Sequence, residues 1–172
     1  MEIVKEYIER SMLHDLEIVQ HLITKLPESA WDWRPKEGMR STTELLRYLS
    51  FIGAANLQTY IDGGWLPENL VQLKAAREAT ANLTPAEFHH ALEDQKQKIK
   101  TIFAALTVED FSTKTTLEPW GVESPLLYVL LNSTLKYMAA YRMQLFLYAK
   151  MNGAELGTLN NWRGIDPPPK KD

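Results

Sequence analysis

The sequence predicts an all-α protein folded as a four-helix bundle. Four long segments carry apolar residues at steps of three and four, which is the period of one helical face. The chain has 172 residues, enough for one ordinary domain that buries its own apolar core. It contains no internal repeat and no low-complexity core. These observations together predict a single helical domain.

The first two helices are predicted from their apolar faces and their ends. The first helix spans about residues 2–26, and Pro27 helps to stop it. The second begins at residues 41–44, Ser-Thr-Thr-Glu, which fit a capping box that satisfies two orphan backbone donors. A glycine pair at residues 63–64 ends this helix.

The third and fourth helices have equally clear boundaries. Residues 84–87, Thr-Pro-Ala-Glu, combine a capping box with a proline at the first helical position. They predict the start of a third helix that continues to about Leu106. The fourth helix starts at residues 124–125 and continues to about Met151, with Gly153 as a stop signal.

The fourth helix carries two apolar stripes. A helix that is apolar nearly all round needs cover on both sides. One stripe faces the core of the bundle. We expect the other stripe to form the interface of a homodimer, and the alternative is that the C-terminal tail covers it. This second stripe consists of Tyr128, Leu131, Leu135 and Phe146.

The connections between the helices predict the topology. The segment 62–83 is long enough to carry the chain back over the bundle, so we predict a long crossover between helices two and three. A short helix is expected within residues 68–80, and residues 115–117 are expected to be briefly extended. We predict one domain, residues 1–166, followed by a flexible tail, residues 167–172.

Composition excludes several classes of function. The chain has no cysteine, which rules out disulfides, cysteine-ligated metal sites and a cysteine nucleophile. It has 19 Lys and Arg against 22 Asp and Glu, so it lacks the broad basic surface that nucleic acid or an anionic membrane requires. It also lacks a signal-peptide core and any run of about 18 apolar residues. We expect a cytoplasmic protein with no nucleic-acid or membrane partner.

Two polar residues interrupt the apolar faces. Asp15 falls near the centre of the stripe of the first helix, and Asn56 lies in the stripe of the second. Because a buried carboxylate without a partner is costly, Asp15 is expected to have one. A wet edge or a structural hydrogen bond is the simpler interpretation for both residues. The alternative is that they line a polar pocket in the bundle.

The inward face of the fourth helix is unusually polar for a core. It carries Tyr137, Tyr141, Gln144 and Tyr148 at spacings that align them along the helix. Aromatic packing with each hydroxyl hydrogen-bonded is the simpler interpretation, and a ligand site is the alternative. The five tryptophans are predicted to lie in loops or at helix ends, where they either cap the bundle or line the mouth of a pocket.

Two stretches of the sequence resemble the DinB/YfiT-like proteins. Residues 33–49, WRPKEGMRSTTELLRYL, are similar to the Arg-Pro…Gly…Ser segment that leads into the second helix of that family. Residues 137–145, YMAAYRMQL, are similar to the His-x-x-x-His-Arg-x-Gln-Leu signature of its last helix. The order and lengths of the elements agree over nearly the whole chain. The resemblance implies a four-helix bundle with one long crossover, often dimeric, that binds a divalent metal through three histidines.

The resemblance also exposes a departure from the family pattern. Carried over position by position, it places Tyr48, Tyr137 and Tyr141 where the family has its three histidine ligands. A phenol with an ordinary pKa of about 10 is a poor ligand for zinc or nickel near neutral pH. None of the four histidines maps onto a ligand position. We therefore expect a degenerate metal site, with no metal and no other cofactor.

Two functions are compatible with this pattern. The first is a non-catalytic protein that binds a small molecule or serves as a scaffold. The alternative is a thiol-dependent, transferase-like enzyme of the kind known in the family, which would use the same pocket with or without a divalent metal. The sequence identifies no substrate. The candidate pocket residues are Tyr48, Tyr137, Tyr141, Gln144, Asp15 and Asn56.

Overall fold

A computed structural model describes residues 1–169 and confirms the all-α prediction. The three last residues of the predicted tail, 170–172, lie outside the described residues, and residues 167–169 are exposed and irregular. The helices are α1 (Glu2–Ile23), α2 (Thr42–Leu49), α3 (Ile52–Ile61), α4 (Pro67–Thr80), α5 (Phe88–Ala105), α6 (Val108–Thr113), α7 (Leu126–Val129), α8 (Leu135–Met151) and α9 (Thr158–Arg163).

The bundle forms because each long helix buries the apolar face that its sequence pattern predicts. Helix α1 packs between α5 and α8, α2 packs on α8, and α3 packs on α5. The crossover carries α4, which extends the short helix predicted there and leans on α3 and α2. Unlike the bundle helices, α4 contains no fully buried residue. Core residues from the bundle include Met12, Leu22, Leu45, Leu57, Phe103 and Leu145.

The predicted second helix is divided into α2 and α3 by a break at Ser50 and Phe51. The Ser50 hydroxyl donates to the Leu46 carbonyl at 2.8 Å, a bond that competes with the helical ladder and bends helices. Phe51 leaves the helical region, with φ −131° and ψ −28°. The prediction of one uninterrupted helix was therefore wrong at this point.

Gln95 of α5 repairs the hydrogen bonding of this break. Its side-chain nitrogen donates to the Leu49 carbonyl at 2.7 Å, and its side-chain oxygen accepts from the Ala54 backbone N–H at 3.1 Å. Gln95 is only 2% exposed, so water does not substitute for it readily. One amide thus satisfies two backbone groups that the break would otherwise leave buried without partners.

We expect Gln95→Leu to lower the free energy of unfolding by about 2–6 kcal/mol, since two buried backbone groups lose their partners at about 1–3 kcal/mol each. Urea denaturation followed by circular dichroism measures this change. Gln97→Leu is the matched control, because Gln97 lies on the exposed side of the same helix. A loss of stability no larger than that of the control would contradict the role given to Gln95.

The predicted fourth helix is a continuous rod with a wide turn inside it. Helix α7, a π-helical turn (Leu130–Thr134) and α8 follow one another without interruption. The Leu135 N–H donates to the Leu130 carbonyl, five residues back. The turn contains Asn132, Ser133 and Thr134, residue types that form regular helix poorly. π-Helical turns of this kind occur frequently at functional sites.

A short hairpin precedes the rod. Strands β1 (Thr115–Leu117) and β2 (Glu123–Pro125) pair antiparallel, which confirms the extended segment predicted there. Trp65 donates its backbone N–H to the Leu117 carbonyl at 2.9 Å. Gly64 permits this approach, because its φ is +95° and a Cβ there would lie 2.1 Å from that carbonyl oxygen. The hairpin is thereby fixed beside the loop that follows α3.

The outer stripe of the rod is only partly covered. Tyr128 and Leu131 are 53% and 41% exposed, whereas Leu135 and Phe146 pack partly against the core. Helix α9 packs on α1. The homodimer through this stripe stays a prediction. Within residues 1–169, no helix is long and apolar enough to cross a membrane.

Candidate functional site

The structure brings Tyr48, Tyr137 and Tyr141 together in one cluster, which we call the tyrosine cluster. Tyr48 projects from α2, and the other two lie one turn apart on α8. The ring centroids are 4.9 Å apart for Tyr48 and Tyr141, 4.7 Å for Tyr137 and Tyr141, and 6.0 Å for Tyr48 and Tyr137. All three side chains are half-buried. Their mutual contact follows from the packing of α2 on α8.

Arg40 covers the tyrosine cluster with a positive charge. Its guanidinium carbon lies 4.2 Å from the centre of the Tyr48 ring and 5.6 Å from that of Tyr141. The adjacent capping box fixes this segment, because the Ser41 N–H donates to the Glu44 carboxylate at 2.6 Å. The backbone at Arg40, which directly precedes α2, therefore has a defined direction. The positive charge of the Arg40 side chain is attracted to the faces of the rings.

The protonation state of the cluster bears on the metal that the family resemblance implies. Burial, together with the neighbouring Tyr141, raises the pKa of the Tyr137 phenol well above its ordinary value. A neutral phenol is a weak ligand for zinc or nickel, and the Arg40 charge would repel a divalent cation. The residues at these positions therefore do not fit the metal. Across the described part of the chain, no group of three or more His, Asp or Glu is arranged to hold one elsewhere.

Gln144 lies behind the cluster and holds the loop that carries Arg40. Its side-chain nitrogen donates to the Tyr148 hydroxyl at 2.6 Å, and that hydroxyl donates to the Arg40 carbonyl at 3.1 Å. Trp33 packs edge-on against the Tyr148 ring, with centroids 5.3 Å apart. Gln144 thus positions backbone, and its amide already has a partner.

Asp15 of α1 contacts α8 through Arg142 and not through the tyrosine cluster. Its carboxylate accepts from Nη1 of Arg142 at 3.1 Å, and the two side chains are 13% and 5% exposed. Burial raises the pKa of Asp15, and the Arg142 charge opposes that effect. The partner expected for Asp15 is therefore an arginine, and the structure does not bring this residue together with the tyrosines.

A groove of about 1140 Å³ opens beside the tyrosine cluster, between α2, α3, α4 and the π-helical turn. Tyr48 and Tyr137 line it. Asn56, which is 5% exposed, also lines it and accepts from the Thr134 hydroxyl at 3.1 Å. A hydrogen bond of 2.9 Å joins the hydroxyls of Tyr60 and Ser133 in the same region. The turn thus places two consecutive hydroxyl groups against α3.

The aromatic lining of the groove includes Trp65 and Trp120, which the hairpin and the loop after α3 bring there. The other tryptophans pack elsewhere: Trp31 stacks on Phe88, Trp33 meets Tyr148, and Trp162 covers the Arg142 guanidinium. Both alternatives for the tryptophans, capping the bundle and lining a pocket, therefore occur in the structure.

The charged lining of the groove is mostly basic. The sequence alone does not reveal this basic lining, because its residues are spread over several segments of a chain with net charge −3. One signal was available, since Leu70, Leu73, Lys74 and Arg77 recur at helical spacing and place two cations on one apolar face of α4. The basic residues of the groove are Arg34, Arg40, Arg47, Lys74, Arg77 and Lys136, and the acidic residue is Glu44.

Comparison with solved structures identifies the fold. A candidate member of the DinB family from Exiguobacterium sibiricum 255-15 superposes with a TM-score of 0.68 and 22% sequence identity, covering 91% of this chain and 97% of that one. The DinB-like protein YjoA of Bacillus subtilis superposes with a TM-score of 0.63 and 16% identity, covering 88% and 96%. No family model and no curated protein matches the sequence significantly. The chain has the four-helix fold of the DinB proteins, over nearly its whole length.

Proposed function

We propose that this protein binds a small molecule in the groove beside the tyrosine cluster and has a degenerate metal site. The observation that carries the proposal is the groove itself, whose volume of about 1140 Å³ slightly exceeds the roughly 300–1,000 Å³ of most small-molecule sites. It combines an apolar and aromatic lining with hydroxyl groups, amides and a set of cations that could orient a ligand.

The chemistry of the former ligand positions supports a role without a metal. Phenols replace imidazoles at Tyr48, Tyr137 and Tyr141, and the raised pKa of Tyr137 keeps that phenol protonated. Arg40 supplies the positive charge that an ion would otherwise bring. Tyr48 and Tyr137 of the cluster therefore form part of the wall of the groove, with hydroxyl groups that can donate and accept hydrogen bonds.

A single introduced thiol tests this proposal. The chain has no cysteine, so Ser133→Cys creates a unique thiol in the lining of the groove, and alkylation with N-phenylmaleimide fills space there. The probe is the apolar dye N-phenyl-1-naphthylamine, whose fluorescence rises in an apolar site. We expect alkylation to weaken dye binding by about tenfold or more, which is 1.4 kcal/mol.

The matched control is Ser112→Cys, because Ser112 is exposed on α6 and does not line the groove. Its alkylation is expected to leave dye binding unchanged. The proposal fails when the dye does not bind the unmodified protein, or when alkylated Ser133→Cys protein binds it as tightly as the control.

A further inference from the structure

We propose that the ligand of this groove is an organic anion, a carboxylate or phosphate on an apolar body, held by Arg40, Arg47 and Arg77. The inference rests on the proposed function and adds the chemical class of the ligand. Arginine is suited to this role, because its planar fork binds carboxylate and phosphate through two parallel hydrogen bonds.

Basic and acidic residues are unequally distributed between the groove and the rest of the chain. The groove takes six of the chain's 19 Lys and Arg but one of its 22 Asp and Glu. The acid, Glu44, is already engaged, because it accepts from the Ser41 N–H at 2.6 Å and lies 3.4 Å from Arg34. The hydrogen bond from the Ser41 backbone holds the pKa of Glu44 below its ordinary value. Glu44 therefore neutralises Arg34, and among the described residues the lining contains no acid for the other five cations. Lys74 lies 3.9 Å from Glu78, which is outside the lining.

Most of the cations in the groove have no carboxylate partner in the described part of the chain. Within residues 1–169, Arg40, Arg47, Arg77 and Lys136 have no carboxylate within 4.0 Å, whereas seven other lysines and arginines do. Nε of Arg47 donates to the Leu83 carbonyl at 3.0 Å, which orients the side chain and leaves its terminal nitrogens for a ligand. Cations that line the same groove repel one another, and a bound anion relieves that repulsion.

The apolar lining of the groove indicates that the ligand also has an apolar part. Between the cations the groove exposes apolar surface from Ile52, Trp65, Leu70, Leu73 and Trp120. Helix α4 supplies two of these residues and contains no fully buried residue, so its inner face gains packing when the groove is filled. An anion without an apolar body would leave this surface in contact with water. The lining therefore favours an amphipathic anion over an inorganic ion.

Two dyes of the same shape separate charge from apolar binding. The anionic probe is 8-anilinonaphthalene-1-sulfonate, and N-phenyl-1-naphthylamine is the same skeleton without the sulfonate. We expect the anionic dye to bind about tenfold more tightly at low salt, with an advantage that shrinks as ionic strength rises. Displacement by 1-naphthoate or by 1-naphthyl phosphate then shows which anionic group the groove prefers.

Charge-removing variants locate the anion. We expect Arg77→Gln to weaken binding of the sulfonate dye at least about fivefold while binding of the neutral dye is unchanged, since one charge-assisted contact is lost. Arg77 is exposed on α4, so its replacement does not disturb the core. Arg10→Gln is the matched control, because Arg10 is exposed on α1 and does not line the groove. Unchanged melting temperatures confirm that both variants fold.

The outcomes distinguish this inference from the proposed function. The proposal of an anionic ligand is wrong if the two dyes bind with equal affinity, or if Arg77→Gln and Arg10→Gln lose equal affinity for the sulfonate dye. Either result is still compatible with a ligand site in the groove. Failure of both aromatic acids to displace the sulfonate dye also overturns it. Absence of binding by either dye overturns both proposals.

Discussion

Replacement of the tyrosine cluster by histidine, Tyr48→His with Tyr137→His and Tyr141→His, is expected to create a zinc site, whereas we expect the wild type to bind no zinc. The three ring centroids lie 4.7–6.0 Å from one another, so three imidazoles on the same backbone positions would converge on a common point. Neutral imidazole is a good zinc ligand, and three such ligands leave a fourth position for water. Zinc binding by this variant would support the proposal that the tyrosines prevent metal binding at these positions.

The expected effect on stability is large. A ligand that binds only the folded state at about 100 times its dissociation constant adds about 2.7 kcal/mol to the free energy of unfolding, which for a domain of this size raises the melting temperature by about 5–10 °C. Calorimetry with and without zinc measures this shift, and elemental analysis of tag-free protein measures stoichiometry. Adding Arg40→Ala should tighten zinc binding further, because it removes the charge that lies 4.2 Å from the Tyr48 ring.

The control is the corresponding triple phenylalanine variant, which keeps the aromatic packing without nitrogen ligands. It should show no zinc-dependent shift. A triple histidine variant that folds but binds no zinc would show that the backbone geometry at these positions does not converge. Stoichiometric zinc or nickel in the wild type would contradict the proposed loss of the metal site.

Local sequence signals predicted most of the fold. The apolar stripes and the capping boxes at Ser41 and Thr84 depend on residues three or four apart. Such short-range patterns can be identified from the sequence alone. The tyrosine cluster could be predicted because two of its members share a helical face and the resemblance supplied the third. These features are fixed by short spacing or by a pattern that already encodes the tertiary contact.

Features that depend on distant side chains could not be predicted in the same way. The break between α2 and α3 is completed by Gln95, which lies 41 residues from Ala54 in the sequence. The partner of Asp15 is Arg142, at the far end of the chain. The basic lining of the groove combines residues from three helices and a loop, and no local pattern identifies such a set. Net charge concealed it, because the acids of the chain lie elsewhere.

Removing one partner of the Asp15–Arg142 pair is expected to destabilise the fold strongly. Either Asp15→Leu or Arg142→Met should cost about 3–5 kcal/mol, because it leaves the other charge buried and uncompensated. The larger loss is expected when Arg142 is left without Asp15, since the Arg142 side chain is 5% exposed and its Nε has no hydrogen-bond partner among the described residues. Urea unfolding monitored by circular dichroism measures both single variants.

The double replacement, Asp15→Leu with Arg142→Met, is expected to recover most of that loss. The raised pKa of Asp15 indicates that burial costs the carboxylate more than Arg142 returns, so the pair as a whole contributes little net stability. Apolar side chains of similar size often match or exceed a buried ion pair. Methionine also keeps a contact with Trp162, which the Arg142 guanidinium covers at 5.2 Å.

The coupling energy between the two positions decides this point. We expect the double variant to lie within about 1 kcal/mol of the wild type, which gives a coupling of several kcal/mol in the mutant cycle. If the losses of the single variants simply add, Arg142 is stabilised by its other contacts and the pair is not a unit. Recovery in the double variant means that the pair does not stabilise α1 against α8. Its charges would then be dispensable for the fold. The cations of the groove are expected to be equally dispensable for folding, but they are expected to be required for binding the ligand.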